Sequence, residues 1–349
     1  MERRQNSNKR GSSAGYGGAS RSRSTGSRYA DNRSGQRSRK RRRKKNRGLL
    51  IFVILFVLLL AVCGGGAAYL YFKDQVRAKP APEISVDLES LDSPYAILLD
   101  ASTGRVIGSK RGDEIIYPAS MTKVLTVLTA IEHIKNLDAK ITMSYDYYDE
   151  LYAQDASRAG FEPGEEVVIR DLLYGALLPS GAECCKQLAI EAAGSETDFA
   201  VLMNQKVQEL GLTQTHFTNS TGLHSDDQYT TPHEMGLILR EALGDRTFRK
   251  VFTTQSYTAG TSDIHPEGFT VQSTMFKNMQ SPTVIGGEIL GGKTGYTQEA
   301  GHCLASLAQV GGSEYILVTA GWAQNPRVEQ YHINDAFLAY NLAGRAVGE

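Results

Sequence analysis

The sequence predicts an α/β body of the α+β kind, an antiparallel sheet covered by helices with a helical lobe beside it. Three observations carry this reading. A hairpin pattern stands at the start of the body and a second stands near its end. Between them, the apolar stretches have helical rather than alternating spacing. A closing helical pattern follows the second hairpin.

The chain reaches that body through three other segments. Residues 1–47 carry 17 Lys and Arg against Glu2 and Asp31, while the rest of the chain carries 21 basic and 36 acidic residues. A formal net charge of zero therefore conceals a basic tail joined to an acidic body. The tail is rich in Ser, Gly, Arg and Asn and lacks apolar periodicity, so it is expected to be disordered. It ends in Arg39-Lys40-Arg41-Arg42-Arg43-Lys44-Lys45-Asn46-Arg47. Residues 48–72 are uncharged, 25 residues against the roughly 20 a helix needs to cross a bilayer. Their length and the long preceding tail predict a retained membrane anchor, with small residues over 61–68 leaving cleavage as the alternative.

The basic cluster places the tail in the cytoplasm and the body outside it. Attraction to anionic lipid accounts for the cluster; nucleic-acid binding would need aromatic or groove-reading elements that Tyr16 and Tyr29 hardly supply. Residues 73–92, with Lys79-Pro80-Ala81-Pro82, read as a short stiff linker, and the body is expected over 93–349.

In the body, Tyr95-Ala96-Ile97-Leu98-Leu99-Asp100 and Arg105-Val106-Ile107-Gly108 flank a turn at 101–104. Next comes Tyr117-Pro118-Ala119-Ser120-Met121-Thr122-Lys123, running into an apolar stretch that reads as a buried helix. Ser120 falls in its first turn and Lys123 three positions on, so the two side chains share a face. Free N–H groups at a helix start favour an oxyanion there. A lysine among Val and Leu loses hydration, which lowers its pKa and prepares a neutral amine to take a serine proton.

A second motif, Pro179-Ser180-Gly181, joins two apolar helices and puts Ser180 on a tight connection. The third, Gly291-Gly292-Lys293-Thr294-Gly295-Tyr296-Thr297, predicts a strand edge closely approached by other backbone. Gly287 completes a phosphate-loop pattern with Gly292-Lys293-Thr294, but Glu288 would stand among the phosphate ligands and no Mg²⁺-binding strand follows. Strands near 303–310 and 315–321 around Gly311-Gly312 form the second hairpin, and a helix over about 327–342 closes the chain. Cys184, Cys185 and Cys303 read as small buried side chains, with a bridge from Cys303 to either neighbour left open.

Ser-x-x-Lys, Ser-Gly-x and Lys-Thr-Gly in this order resemble the motif set of the penicillin-recognising serine enzymes. Gly164-Glu165-Glu166-Val167 and Phe217-Thr218-Asn219-Ser220-Thr221-Gly222-Leu223 extend the likeness to the low-molecular-mass D-alanyl-D-alanine carboxypeptidases. The resemblance implies a β-lactamase/transpeptidase-like fold. It implies Ser120 as the acylated nucleophile, Lys123 as its proton acceptor and Ser180 as a relay to the leaving D-alanine. Lys293, Thr294, Gly295 and Tyr296 become the substrate-binding strand, with the backbone N–H groups of Ser120 and Tyr296 forming the oxyanion hole. The implied partners are a peptidoglycan stem peptide ending in D-Ala-D-Ala and β-lactams as covalent inhibitors, with no cofactor and no metal.

One departure stands out. The family's second motif usually ends in Asn, and position 182 is Ala. The chain's end also leaves the anchoring role, elsewhere taken by C-terminal elements, to residues 48–72.

Competing readings are weaker. A class A β-lactamase would place a deacylating glutamate between the second and third motifs, where Glu209 and Glu234 lack the required pattern. A zinc peptidase would need paired ligands, whereas His216, His224, His233, His265 and His302 are scattered. A non-catalytic β-lactam sensor or wall-binding module on the same fold is the alternative from a different class.

Overall fold

The computed structural model describes residues 81–323 and 331–348. The basic tail, the apolar segment 48–72 with Cys63, and residues 73–80 lie outside the described residues. The strands are β1 (Tyr95–Asp100), β2 (Val106–Lys110), β3 (Lys140–Thr142), β4 (Glu166–Val168) and β5 (Ser256–Thr258). They continue with β6 (Thr270–Gln272), β7 (Thr283–Val284), β8 (Gly287–Thr297), β9 (Gly301–Val310) and β10 (Ser313–Trp322). The helices are α1 (Thr122–His133), α2 (Tyr148–Ala153), α3 (Ile169–Leu177) and α4 (Ala182–Ala193). α5 (Glu196–Glu209), α6 (Pro232–Ala242), α7 (Arg246–Phe252) and α8 (Tyr331–Gly348) complete the set.

Both expected hairpins form, and they join one sheet of order β2-β1-β10-β9-β8-β7, antiparallel throughout. β1 meets β10 in register from Tyr95 opposite Ala320 to Asp100 opposite Tyr315, so the chain's early and late halves are stitched edge to edge. Successive side chains of a strand face opposite sides. Ile97 and Leu99 accordingly enter one apolar cluster, and Ala96 and Leu98 enter another. The central β9 and β10 are buried on both faces, which explains their nearly unbroken apolar sequence.

The first cluster packs the helical lobe against the sheet. α1 lies at its centre and is buried from Thr122 to Ala130 on every side. A helix apolar all round belongs in an interior. The second cluster packs α8 on the opposite face through Ile333, Ala336, Ala339, Tyr340 and Ala343. The Tyr340 hydroxyl shares a hydrogen bond with Ser306 Oγ (2.9 Å) and accepts one from the Leu317 N–H (3.2 Å).

Two expectations are corrected. Residues 81–92 are part of the body, not of a linker. Val86, Leu88 and Leu91 are buried in the second cluster, and the Val86 N–H donates to the Ile107 carbonyl. Asp335 on α8 accepts from the backbone N–H groups of Asp92 and Ser93, both at 2.8 Å. Pro82 and the polar interruptions hide this docking because the segment has no regular period. α8 also runs past 342 to Gly348. Gly344 does not stop it: a Cβ there would lie 2.1 Å from the Ile285 carbonyl oxygen, so this glycine serves close packing. The start expected near 327 falls among residues outside the described set.

The three described cysteines are free and buried, as small apolar side chains would be. Residues 287–297 form one continuous strand, whereas a phosphate loop would have to turn into a helix there.

Candidate active site

Pro118 opens a single 3₁₀ turn, Ala119–Met121, which feeds directly into α1. Ala119 has φ 45°, a left-handed conformation that costs energy for a residue with a Cβ. The strain is held from two sides. A Cβ at Gly222 would lie 2.0 Å from the Ala119 carbonyl oxygen, and one at Gly295 would lie 3.0 Å from the Ser120 backbone N. The glycine of the third motif thus lets β8 press against the serine's own peptide, as its sequence implied.

From this turn the half-buried Ser120 and the buried Lys123 enter a common cavity of about 600 Å³. Lys123 Nζ donates to Ser120 Oγ at 3.0 Å and to the Thr221 carbonyl at 2.5 Å. Burial pushes the Lys123 pKa below the ordinary lysine value, outweighing the opposing influence of the groups on α4. Cys185, also fully buried, is itself pushed up to about 12 by desolvation and so stays a neutral thiol between the two lysines of the site.

Lys293 is completely buried on β8, and its Nζ donates to the Thr294 carbonyl at 2.7 Å. Burial first, then the like charge of Lys123, drives its pKa well below normal. The two ammonium groups therefore feel each other. Thr294 Oγ1 shares a 2.6 Å hydrogen bond with Thr274 Oγ1.

Of the residues singled out in the sequence, Ser120, Lys123 and Tyr296 line the cavity directly. Gly295 backs Ser120, while Lys293 and Thr294 lie on the same strand without lining the cavity. Ser180 is buried at the corner between α3 and α4 with φ 72°. No hydrogen bond links it to Lys123 among the described residues. Ala182 lines the cavity at the start of α4 and supplies only a methyl group.

Several lining residues carry no role in the sequence reading, although Asn219 to Leu223 belong to a motif quoted there. Glu150, Gln154, Asp155, Ala156 and Ser157 come from α2 and the loop after it. That loop is tied down by Glu183, whose Oε1 accepts from the N–H groups of Ala159 (2.6 Å) and Gly160 (3.0 Å). Lys186 and Glu196 come from α4 and α5, and Asn219, Thr221, Gly222, Leu223 and His224 from one loop. Thr221 works through its backbone carbonyl, which no side-chain pattern announces. Asn219 shapes the loop, its Oδ1 accepting from the N–H groups of Thr221 (3.2 Å) and Gly222 (2.8 Å).

The rival assignments meet contrary geometry. Glu234 accepts from the backbone of Thr213 and Gln214 and from the Thr215 hydroxyl, and Glu209 pairs with Lys206, so neither carboxylate faces the cavity. His216, His233 and His265 bond separately to Asp227, Asp113 and Glu165. His302 stacks on His332, with 5.0 Å between ring centroids, behind Tyr296.

Comparison with known proteins agrees with this architecture. The family model described as D-alanyl-D-alanine carboxypeptidase matches residues 81–323. The carboxypeptidase DacF of Bacillus subtilis (strain 168) is 32% identical over 236 residues, 68% of this chain and 59% of DacF, so the match spans somewhat over half of that relative. The D-alanyl-D-alanine carboxypeptidase of Streptomyces sp. (strain K15) is 32% identical over 246 residues, 68% of this chain and 83% of that protein. A crystal structure of the Streptomyces K15 DD-transpeptidase superposes with a TM-score of 0.64 at 28% identity, covering 73% of this chain and 98% of that one. With a family model spanning most of the body and a serine–lysine pair at the mouth of its cavity, the chain belongs to the D-alanyl-D-alanine carboxypeptidase family.

Proposed function

We propose that this protein removes the terminal D-alanine from peptidoglycan stem peptides through an acyl-enzyme on Ser120. The observation that carries the reading is the 3.0 Å contact between Lys123 Nζ and Ser120 Oγ in a cavity of ligand size. Burial lowers the pKa of Lys123, so its neutral amine can accept the Ser120 proton as Oγ attacks the carbonyl carbon of the D-Ala–D-Ala bond. The tetrahedral oxyanion is met by N–H groups of Ser120 and Tyr296. Collapse breaks the C–N bond, the departing amine takes the proton that Lys123 holds, and D-alanine leaves. Water then resolves the ester, and its proton returns to Ser120.

Lys293 is the binding group for the substrate's terminal carboxylate. Its ammonium leaves the Thr294 carbonyl for that anion, whose negative charge offsets both the burial and the repulsion from Lys123. Thr294 and Gly295 belong to the same binding strand, and Ser180 is proposed as the relay toward the leaving group. β-Lactams would acylate the same serine as covalent inhibitors. Transfer to an amine instead of water is a second reading, favoured by the name DD-transpeptidase borne by the Streptomyces K15 structures.

The body is proposed to work outside the cytoplasm, held by the apolar segment 48–72 with residues 1–47 inside. The charge pattern of the sequence supports this. That segment lies outside the described residues, among which no helix is long and apolar enough to cross a membrane.

The test is mass spectrometry of the full chain incubated with penicillin, beside Ser120→Ala, and assay of D-alanine release from a pentapeptide analogue. A penicilloyl mass on the wild type and none on Ser120→Ala is expected. An unmodified wild type would refute the assignment, acylation without D-alanine release would indicate a sensor, and a cross-linked product would favour transpeptidation.

A further inference from the structure

Lys186 and Glu196 meet on the wall of the cavity, near Ala182. Lys186 Nζ, on a side chain 10% exposed, donates to Glu196 Oε2 at 2.6 Å and to Glu150 Oε1 and Oε2 at 3.1 and 2.9 Å. The ammonium is thus used up by two carboxylates. The other oxygen of Glu196 faces away from it, and Oε1 accepts from the Ser220 backbone N–H at 3.0 Å and from the Ser220 hydroxyl at 2.6 Å. Ser220 is fully buried. Its carbonyl accepts from Thr126 Oγ1 at 2.7 Å, and the next carbonyl, that of Thr221, accepts from Lys123 Nζ. A continuous chain of contacts therefore runs from Lys186 through Glu196 and the 220–221 peptide to the amine beside the nucleophile.

We infer that Glu196, braced by Lys186, is a positioning residue for acylation. It fixes the Thr221 carbonyl, and through that carbonyl the direction of the Lys123 lone pair. The inference rests on the reading of Ser120 as nucleophile and Lys123 as base. A neutral lysine amine rotates about its last bond. One strong acceptor decides which N–H it uses and so where its lone pair points. With one N–H committed to Thr221 O, a neutral Lys123 is held within 3.0 Å of Ser120 Oγ, where its lone pair can take the serine proton. Lys123 has no other anchor of this kind: among the described residues its hydrogen bonds go to Ser120 and Thr221, and Ala182 at the head of α4 has no polar side-chain atom.

The acceptor is well suited to the task. An ionised carboxylate makes stronger hydrogen bonds than a neutral group. As the first residue of α5, Glu196 also sits at the positive end of a helix. Packing of α5 depends on Phe199, Ala200, Met203 and Val207, so removing the carboxylate leaves its buried face intact. The expected loss is one of geometry, and misplacement of a reacting group by about 1 Å costs roughly 100-fold.

The experiment measures penicillin acylation, D-alanine release and thermal melting for the full chain. The variants are Glu196→Ala, Ser220→Ala and the pair Lys186→Met with Glu196→Gln. Glu196→Ala should slow acylation and lower kcat by about 30- to 100-fold, with KM changed by less than about threefold. The paired variant keeps an amide oxygen for Ser220 with no ammonium competing for it, and should recover to within about tenfold of wild type. Ser220→Ala loses one of the two bonds and should fall by about three- to tenfold. A folded Glu196→Ala acylated within about threefold of wild type would overturn the inference. If that variant does not fold, an unchanged rate in Ser220→Ala or a paired variant slower than about 100-fold would do so instead. A wild type that penicillin does not modify would sink the parent reading, a separate and earlier failure.

Discussion

Gly222 leaves no space between its α-carbon and the carbonyl of Ala119, since a Cβ there would stand 2.0 Å from that oxygen. The loop that anchors Lys123 and the turn that presents Ser120 are therefore in backbone contact, and the site's precision depends on a missing side chain.

Gly222→Ala should consequently be among the most damaging small substitutions. It demands φ near 79° from a residue with a Cβ and pushes the nucleophile turn aside. The expected loss is about 1–3 kcal/mol of stability. Acylation should slow by tenfold or more. Denaturant titration and penicillin labelling read the two effects separately.

The acylation rate should rise with pH through the titration of Lys123. Burial favours the neutral amine, so the midpoint should lie below the ordinary lysine value of about 10.4. Lys123→Arg, which stays protonated, should be inactive at every pH. A wild-type rate that does not change between about pH 6 and 10 would contradict the proton-acceptor role.

Asp335→Ala tests whether residues 81–92 belong to the body. The substitution removes two charge-assisted bonds to the Asp92 and Ser93 N–H groups and should destabilise by about 2 kcal/mol. Unaltered stability in denaturant would return the segment to the status of a linker.

Acid should destabilise the fold through His332. Burial, then the proximity of His302, lowers its pKa from 6.5 to about 3 in the folded state. The unfolded chain binds a proton first as pH falls below 6.5, so stability is lost from there down to about pH 3. The slope is at most about 1.4 kcal/mol per pH unit for one group. His332→Phe should flatten that part of the stability profile, measured by denaturant titration at several pH values.

Much of this molecule could be read from its sequence, for reasons visible in particular residues. Tyr95 to Asp100 is legible as one arm of a hairpin, and its apolar run Ala96 to Leu99 feeds the two apolar clusters on either side of the sheet. The apolar run after Lys123 announced a helix with no solvent side. Helical spacing places Ser120 and Lys123 on one face, and the ordered set of three motifs is what gives the pair its role.

The roles that the sequence does not disclose act at long range or without a side chain. Thr221 contributes a carbonyl, Gly222 an absence, and Val86, Leu88 and Leu91 dock without any period. Lys186 and Glu196 resemble ordinary ions near a helix junction until folding brings Ser220 between Glu196 and the site. Ser180 is legible on its connection, but its left-handed backbone needs coordinates.

The turn at Ser120 owes its shape to Gly222 and Gly295, which reach it from much later in the chain. During synthesis the N-terminal part emerges first. A nascent polypeptide that has made Ser120 and Lys123 still lacks both backbones that hold them. The geometry of the serine–lysine pair thus arrives only with the strand that carries Gly295, and a product truncated before it would carry Ser120 and Lys123 in an unassembled form.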